Sequence, residues 1–249
     1  MVQQVNLMGM VLSSMPIGEY DKRLVILTAK RGKITAFSRG SRRQNSTMLG
    51  ATEPGVFGEF TLIEGKNAYT LVGADIKKYY MELREDIECA CLTFYCLEFA
   101  GYFSRENMEC TQILNLLAAT LNALSKKRVP LQLIRRVFEL KMLTINGEYP
   151  QMFQCVKCGR TDNLEYYSLD LFGMICPNCK KYSHRNTSVM PSSLYAMQYV
   201  ISTDIEKLYG FIVKDDVFRE LDLMIGSLVR KILDHPLKSE EMLDLIFGI

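Results

Sequence analysis

The chain has 249 residues, 48% hydrophobic and 23% charged, enough apolar side chain to bury a core in one large domain or in two to three small ones. Its apolar stretches, such as 90–100, are interrupted well short of the roughly 20 residues that span a bilayer, which argues against a transmembrane helix and a membrane partner. The first residues lack a basic segment followed by an apolar run and a cleavage site, so a cytoplasmic protein is expected, with its eight cysteines reduced and serving as core residues or metal ligands rather than disulfides. The net charge of +2 conceals an asymmetry: residues 1–80 hold eleven Lys and Arg against six Asp and Glu, and the remainder nineteen against twenty-two. A segregated positive surface favours an anionic partner, although a charge run also fits a merely solvated face.

Apolar and polar positions alternate over 5–12, 24–28, 34–37, 56–63 and 69–72, which predicts five strands. Turn chemistry separates them: Pro16 and Gly18, Lys30-Arg31-Gly32, Pro54-Gly55, and Glu64-Gly65-Lys66-Asn67. Five short strands in about 80 residues are too few for an immunoglobulin-type sandwich and suit a small Greek-key barrel of the OB-fold kind.

From Met81 the period becomes helical. Ile87, Ala90, Cys91, Phe94 and Leu97 mark a first helix, Ile113, Leu114, Leu117, Leu121 and Leu124 a second, and Leu133, Ile134, Val137 and Phe138 a third that opens at Pro130. Residues 192–207 and 215–234 continue the pattern after a cysteine-containing insertion. The expected class is α+β: an N-terminal OB-fold barrel (1–80, nucleic-acid-binding), a helical bundle (81–150), a zinc-binding insertion (151–190), and C-terminal helices completing the helical domain (191–249).

Two patterns carry chemistry. Cys155-Val156-Lys157-Cys158 and Cys176-Pro177-Asn178-Cys179, seventeen residues apart, have the spacing of a four-cysteine zinc ribbon. Four thiolates fill a tetrahedron and leave no position for water, so the expected cofactor is one structural Zn²⁺ held by Cys155, Cys158, Cys176 and Cys179. Cys89, Cys91, Cys96 and Cys110 fall on or near helical stripes and read as core.

The second pattern is the basic run from Lys30 to Arg43, with no acidic residue between Asp21 and Glu53. Its position on a barrel points to phosphate contacts by Lys30, Arg31, Lys33, Arg39, Arg42 and Arg43, with hydroxyls of Ser41 and Ser46 as further donors and Phe37 or Tyr20 as platforms for a base. Lys126-Lys127-Arg128 with Arg135-Arg136, and Lys180-Lys181 with His184-Arg185, would extend that path or serve as solvated helix ends. No phosphate loop, HExxH, GxSxG or dinucleotide turn is present, and neither His184 nor His235 sits beside a plausible nucleophile in sequence. No catalytic residue is expected. The carboxylates Asp86 with Glu88, and Asp215-Asp216, read as helix starts.

Three stretches together carry a resemblance: Leu27-Thr28-Ala29-Lys30-Arg31-Gly32-Lys33-Ile34 followed by Ser38-Arg39-Gly40-Ser41-Arg42-Arg43; Phe138-Glu139-Leu140-Lys141-Met142-Leu143 through Gly147-Glu148-Tyr149-Pro150; and the two CxxC pairs. In this order, along essentially the whole chain, they resemble the RecO family of recombination mediators. Gln44-Asn45 stand where a further basic residue is usual in that family. The resemblance implies a cytoplasmic, nucleoid-associated, non-enzymatic protein that binds single- and double-stranded DNA and anneals complementary strands. It also implies work with RecR, and in some lineages RecF, to load RecA onto DNA coated by the single-stranded-DNA-binding protein, whose acidic C-terminal tail is recognised. The rival readings are a protein adaptor without DNA affinity and a metal-dependent nuclease.

Overall fold

The computed structural model describes residues 3–247. Contacts divide the chain into two units: the first runs to Leu131 and resumes at Pro236, and the second is Gln132–His235. Helices α1 (Ile87–Phe103) and α2 (Thr111–Lys126) belong to the first, α3 (Leu131–Ile145), α4 (Pro191–Ser202) and α5 (Asp215–Ile232) to the second, and α6 (Lys238–Phe247) to the first again. No helix among the described residues is long and apolar enough to cross a membrane.

In the first unit, strands β1 (Gln4–Ile17), β2 (Asp21–Thr28), β3 (Gly32–Ser38), β4 (Phe57–Glu64) and β5 (Tyr69–Lys78) close a barrel in the order β1-β2-β3-β5-β4. Neighbours are antiparallel except β3 and β5, as in an OB-fold. The period-2 pattern sends Leu24, Ile26, Ile34, Ala36, Phe60 and Leu62 into a common core, so the five expected strands are present. β1 is longer than expected because it serves two partners, pairing with β4 in its first half and β2 in its second. The register shifts between Val11 and Ser13, and such a bulge bends the strand around the barrel.

The β2–β3 turn is joined to the α1–α2 loop by backbone hydrogen bonds. Lys33 N–H donates to Arg105 O (3.1 Å), Asn107 N–H to Arg31 O (2.9 Å) and Cys110 N–H to Ala29 O (2.8 Å). Gly32, at φ +64°, lies so near Arg105 that a Cβ would stand 2.0 Å from its carbonyl oxygen. At α1's start Asp86 accepts from the N–H groups of Glu88 and Cys89, so the carboxylate read as a helix start is a side-chain N-cap. Helix α6 packs on α1 and is capped by it: Glu98 accepts from Lys238 N–H (3.2 Å), Ser239 N–H (2.9 Å) and Ser239 Oγ (2.6 Å).

In the second unit α3 buries Leu133, Ile134, Val137 and Phe138 as expected, and charged side chains as well. Glu139 accepts from Arg135 Nε (2.9 Å) and Arg136 Nη1 (2.7 Å), while Arg136 Nε reaches Asp222 on α5 at 2.7 Å. Burial weakens a guanidinium, but Glu139 and Asp222 together outweigh it and hold Arg136 above its ordinary pKa. Gly226 makes room for the guanidinium, which lies 3.2 Å from where a Cβ would be. Lys141 Nζ donates to the carbonyls of Val200 (3.2 Å), Ile201 (3.1 Å) and Thr203 (2.6 Å), satisfying the end of α4. The expected helix 192–207 stops at Ser202 because Thr203 turns extended; a separate 3₁₀ turn covers Ile205–Lys207. Strands β6 (Tyr166–Ser168), β7 (Gly173–Ile175) and β8 (Asn186–Ser188) form a small sheet in the order β7-β6-β8.

Candidate metal centre and nucleic-acid interface

The small sheet frames the cysteines. Cys155 N–H donates to Arg160 O (2.8 Å) and Gly159 N–H returns to Cys155 O (2.9 Å), closing the first knuckle with Gly159 at φ +73°. Cys179 N–H to Cys176 O (3.0 Å) closes the second around Pro177. The four sulfurs lie within 4.8 Å of one another, and Cys158 and Cys176 are 3.8 Å apart. A tetrahedron with bonds of about 2.3 Å has edges of about 3.8 Å, so the cluster fits a zinc-sized ion. Cys155, Cys176 and Cys179 are buried and Cys158 is exposed. Burial pushes the Cys155 thiol up, but the N–H groups of Cys176, Cys158 and Lys157 outweigh it and bring it to about 6. Burial and the neighbouring sulfurs push Cys179 up to about 12. Four thiolates this close would repel one another, and a divalent cation bound among them would supply the compensating charge. Cys89, Cys91, Cys96 and Cys110 are buried elsewhere, as core.

The ribbon is braced by Asp170. Its carboxylate accepts from Ser183 Oγ (2.6 Å), Ser168 Oγ (2.7 Å) and His184 N–H (3.0 Å), and these bonds hold it well below the usual carboxylate range.

The basic run separates into two groups at opposite ends of β3, about 20 Å apart at the rise of a strand. At the end that meets the α1–α2 loop, Lys30 is exposed, Arg31 is paired with Glu64 (3.0 Å), and Lys33 Nζ donates to Gly101 O (2.5 Å). At the other end Arg39, Arg42 and Arg43 are all exposed. Arg42 Nη1 donates to the carbonyls of Gly18 (3.2 Å) and Glu19 (3.1 Å), and the Arg43 guanidinium sits 5.2 Å from the centre of the Tyr20 ring. Ser41 is buried and donates to Ser38 O, so that expected hydroxyl donor acts within this loop, while Ser46 Oγ accepts from Met48 N–H.

The outward face beside this second group holds a residue that sequence reasoning missed. Arg23 is exposed and pairs across the sheet with Met15 on β1 and Phe37 on β3. Phe37 is 38% exposed and Tyr20 42%. Strict alternation in β2 contains the signal, since Arg23 opposes the inward Lys22 and Leu24. The structure corrects one expectation: Arg135 and Arg136 are buried and ion-paired, so they are not surface cations.

A family model described as Recombination protein O N terminal matches residues 1–80, and one described as Recombination protein O C terminal matches residues 84–241. The chain belongs to the RecO family. Curated relatives named DNA repair protein RecO include that of Alkaliphilus metalliredigens, 30% identical over 91% of this chain and 93% of the relative. That of Acetivibrio thermocellus is 30% identical over 86% of this chain and 85% of its own. That of Thermoanaerobacter sp. is 26% identical over 95% of each. The matches to RecO relatives thus span both the barrel and the cysteine-bearing part.

Proposed function

We propose that this RecO-family chain is a non-catalytic recombination mediator that binds single- and double-stranded DNA, anneals complementary strands and helps load RecA onto coated single strands. The observation that carries the reading is the outward face of the barrel, where Arg23 pairs in register with the exposed Phe37 and Arg43 lies over the exposed Tyr20, with Arg39 and Arg42 exposed in the adjoining segment. Cations beside rings neutralise phosphates and stack unpaired bases, and annealing needs no covalent step: lowering strand repulsion and holding bases extended shorten the search for pairing. Lys30 and Lys33 extend the path, and Arg31, whose charge Glu64 already offsets, contributes less. The ion held by Cys155, Cys158, Cys176 and Cys179 is one structural Zn²⁺.

The family resemblance supplies the partners: RecR, RecF in some lineages, and the acidic tail of the single-stranded-DNA-binding protein. A groove of about 770 Å³ between α4 and α5, with Tyr195, Phe211 and Ile212 beside Lys214, offers the apolar floor and the cation such a tail needs. The test is annealing of complementary oligonucleotides at several salt concentrations, with and without the coating protein, in magnesium. Salt-sensitive annealing that leaves strands intact, and that weakens in Arg39→Ala/Arg42→Ala/Arg43→Ala, is the expected result. An unchanged salt slope in that variant moves the DNA site elsewhere; strand cleavage makes the protein a nuclease; no DNA binding at low salt leaves an adaptor.

A further inference from the structure

The zinc-ribbon region carries cations that the barrel reading does not use. Lys180, Lys181 and Arg185 follow the second cysteine knuckle, and Arg230 and Lys231 end α5; all are exposed. The fold gathers them. Leu169 N–H donates to Arg185 O (2.9 Å), and Lys231 Nζ lies 3.5 Å from Leu169 O. Segment 183–185 and the end of α5 therefore adjoin the same loop.

Three of the lysines are placed over aromatic rings rather than beside carboxylates. Lys180 Nζ is 4.1 Å from the centre of Tyr166, Lys231 Nζ 4.4 Å from Phe172, and Lys181 Nζ 5.2 Å from Tyr182. None of Lys180, Lys181, Arg185, Arg230 and Lys231 forms an ion pair among the described residues. Asp170, which adjoins them, is engaged by Ser168, Ser183 and His184. A ring holds an ammonium in position without cancelling its charge. The patch is thus preorganised and positive, and Tyr182 at its edge is 54% exposed.

We propose that this patch is a second nucleic-acid surface, binding the phosphate backbone of a second strand while the barrel holds the first. It rests on the DNA-annealing reading and gives that reading its missing partner site, since annealing needs two strands on the protein. Spaced, unpaired cations with an exposed ring beside them match a phosphate chain, whose charges repeat along its length, better than an acidic peptide, which needs an apolar floor as well.

The experiment uses the full chain and two non-complementary oligonucleotides carrying an energy-transfer pair, one saturating the protein and the other added second. Lys181→Ala/Arg185→Ala/Arg230→Ala/Lys231→Ala should bind the first strand as before, lose the energy transfer, and anneal complementary strands about tenfold more slowly, with the salt slope reduced by about 0.7 for each lost phosphate contact. If that variant lacks metal or native circular dichroism, Lys181→Glu/Arg185→Glu, which leaves every ring-bound lysine but Lys181 in place, gives the same readout. Unchanged second-strand capture by a folded variant overturns the proposal, and so does loss of an acidic peptide's binding with both strands still held. The barrel is tested separately. If Arg39→Ala/Arg42→Ala/Arg43→Ala binds the first strand normally, the barrel reading fails; if the patch variant then abolishes all strand binding, the patch is the primary site and the second-strand assignment is overturned.

Discussion

Gly32 stands against Arg105, with the carbonyl oxygen of the latter only 2.0 Å from where a Cβ on the former would be. The turn that bears Lys30 and Arg31 is therefore a joint between barrel and helices as well as a basic hairpin. Gly32→Ala should destabilise the first unit by about 2 kcal/mol or more, since it meets both a positive φ and a backbone atom that cannot move aside. Urea unfolding followed by tyrosine fluorescence measures this, and a variant within a few tenths of a kcal/mol of the parent contradicts it.

One zinc per chain is expected by elemental analysis. Binding energies of about 10 kcal/mol or more shared by four thiolates mean that Cys176→Ser should lower metal affinity about a hundredfold or more. Solubility should fall with it, before any DNA contact is lost. Cys91→Ser, altering a core cysteine, should retain the metal. A metal-free, stable and fully active Cys176→Ser protein would show that the ion has no structural role.

Glu139 is fully buried between Arg135 and Arg136. Glu139→Gln leaves buried guanidinium charge poorly compensated and should cost about 3–5 kcal/mol in the second unit. Replacing Asp222, which is partly exposed, with Asn should cost less. Thermal unfolding of the two variants ranks them, and the reverse order would place the energetic weight on the α3–α5 pair.

Asp170 gives an acid-side prediction. Its folded pKa lies below the ordinary value of about 4, so its contribution is present above that value and is lost as pH falls towards the folded value. Asp170→Asn should be less stable than the parent at neutral pH, with the gap narrowing near pH 3. Melting temperatures at the two pH values decide it; a gap that widens in acid means that the serine and His184 donors do not stabilise the carboxylate.

Much of this could be read locally. Alternation of Leu24 and Ile26 against Arg23 and Val25 announces a strand with one buried face, and paired cysteines two residues apart announce a knuckle. What escaped depends on partners distant in sequence. The N-terminal cap of α6 is Glu98, some 140 residues earlier, so the cap itself cannot be read near Lys238. Arg136 reads as surface until Asp222, 86 residues on, is seen beside it. Arg23 gains its setting from Met15 and Phe37, which only the register of three strands brings alongside. Lys33 belongs to a basic run in sequence, but its ammonium donates a hydrogen bond to the carbonyl of Gly101, 68 residues on.

The cap on α6 also bears on how the chain matures. Glu98 belongs to a unit that is interrupted at Leu131 and completed only by residues from Pro236 onward, whereas Gln132–His235 is continuous. During synthesis the continuous unit has all its contacts available as soon as its last residue leaves the ribosome. The barrel-bearing unit must wait, with the α1 surface that α6 will cover still bare, until residues 238–247 arrive. Nascent chains stalled before residue 236 should therefore present that surface to chaperones, and emergence of α6 should end the exposure.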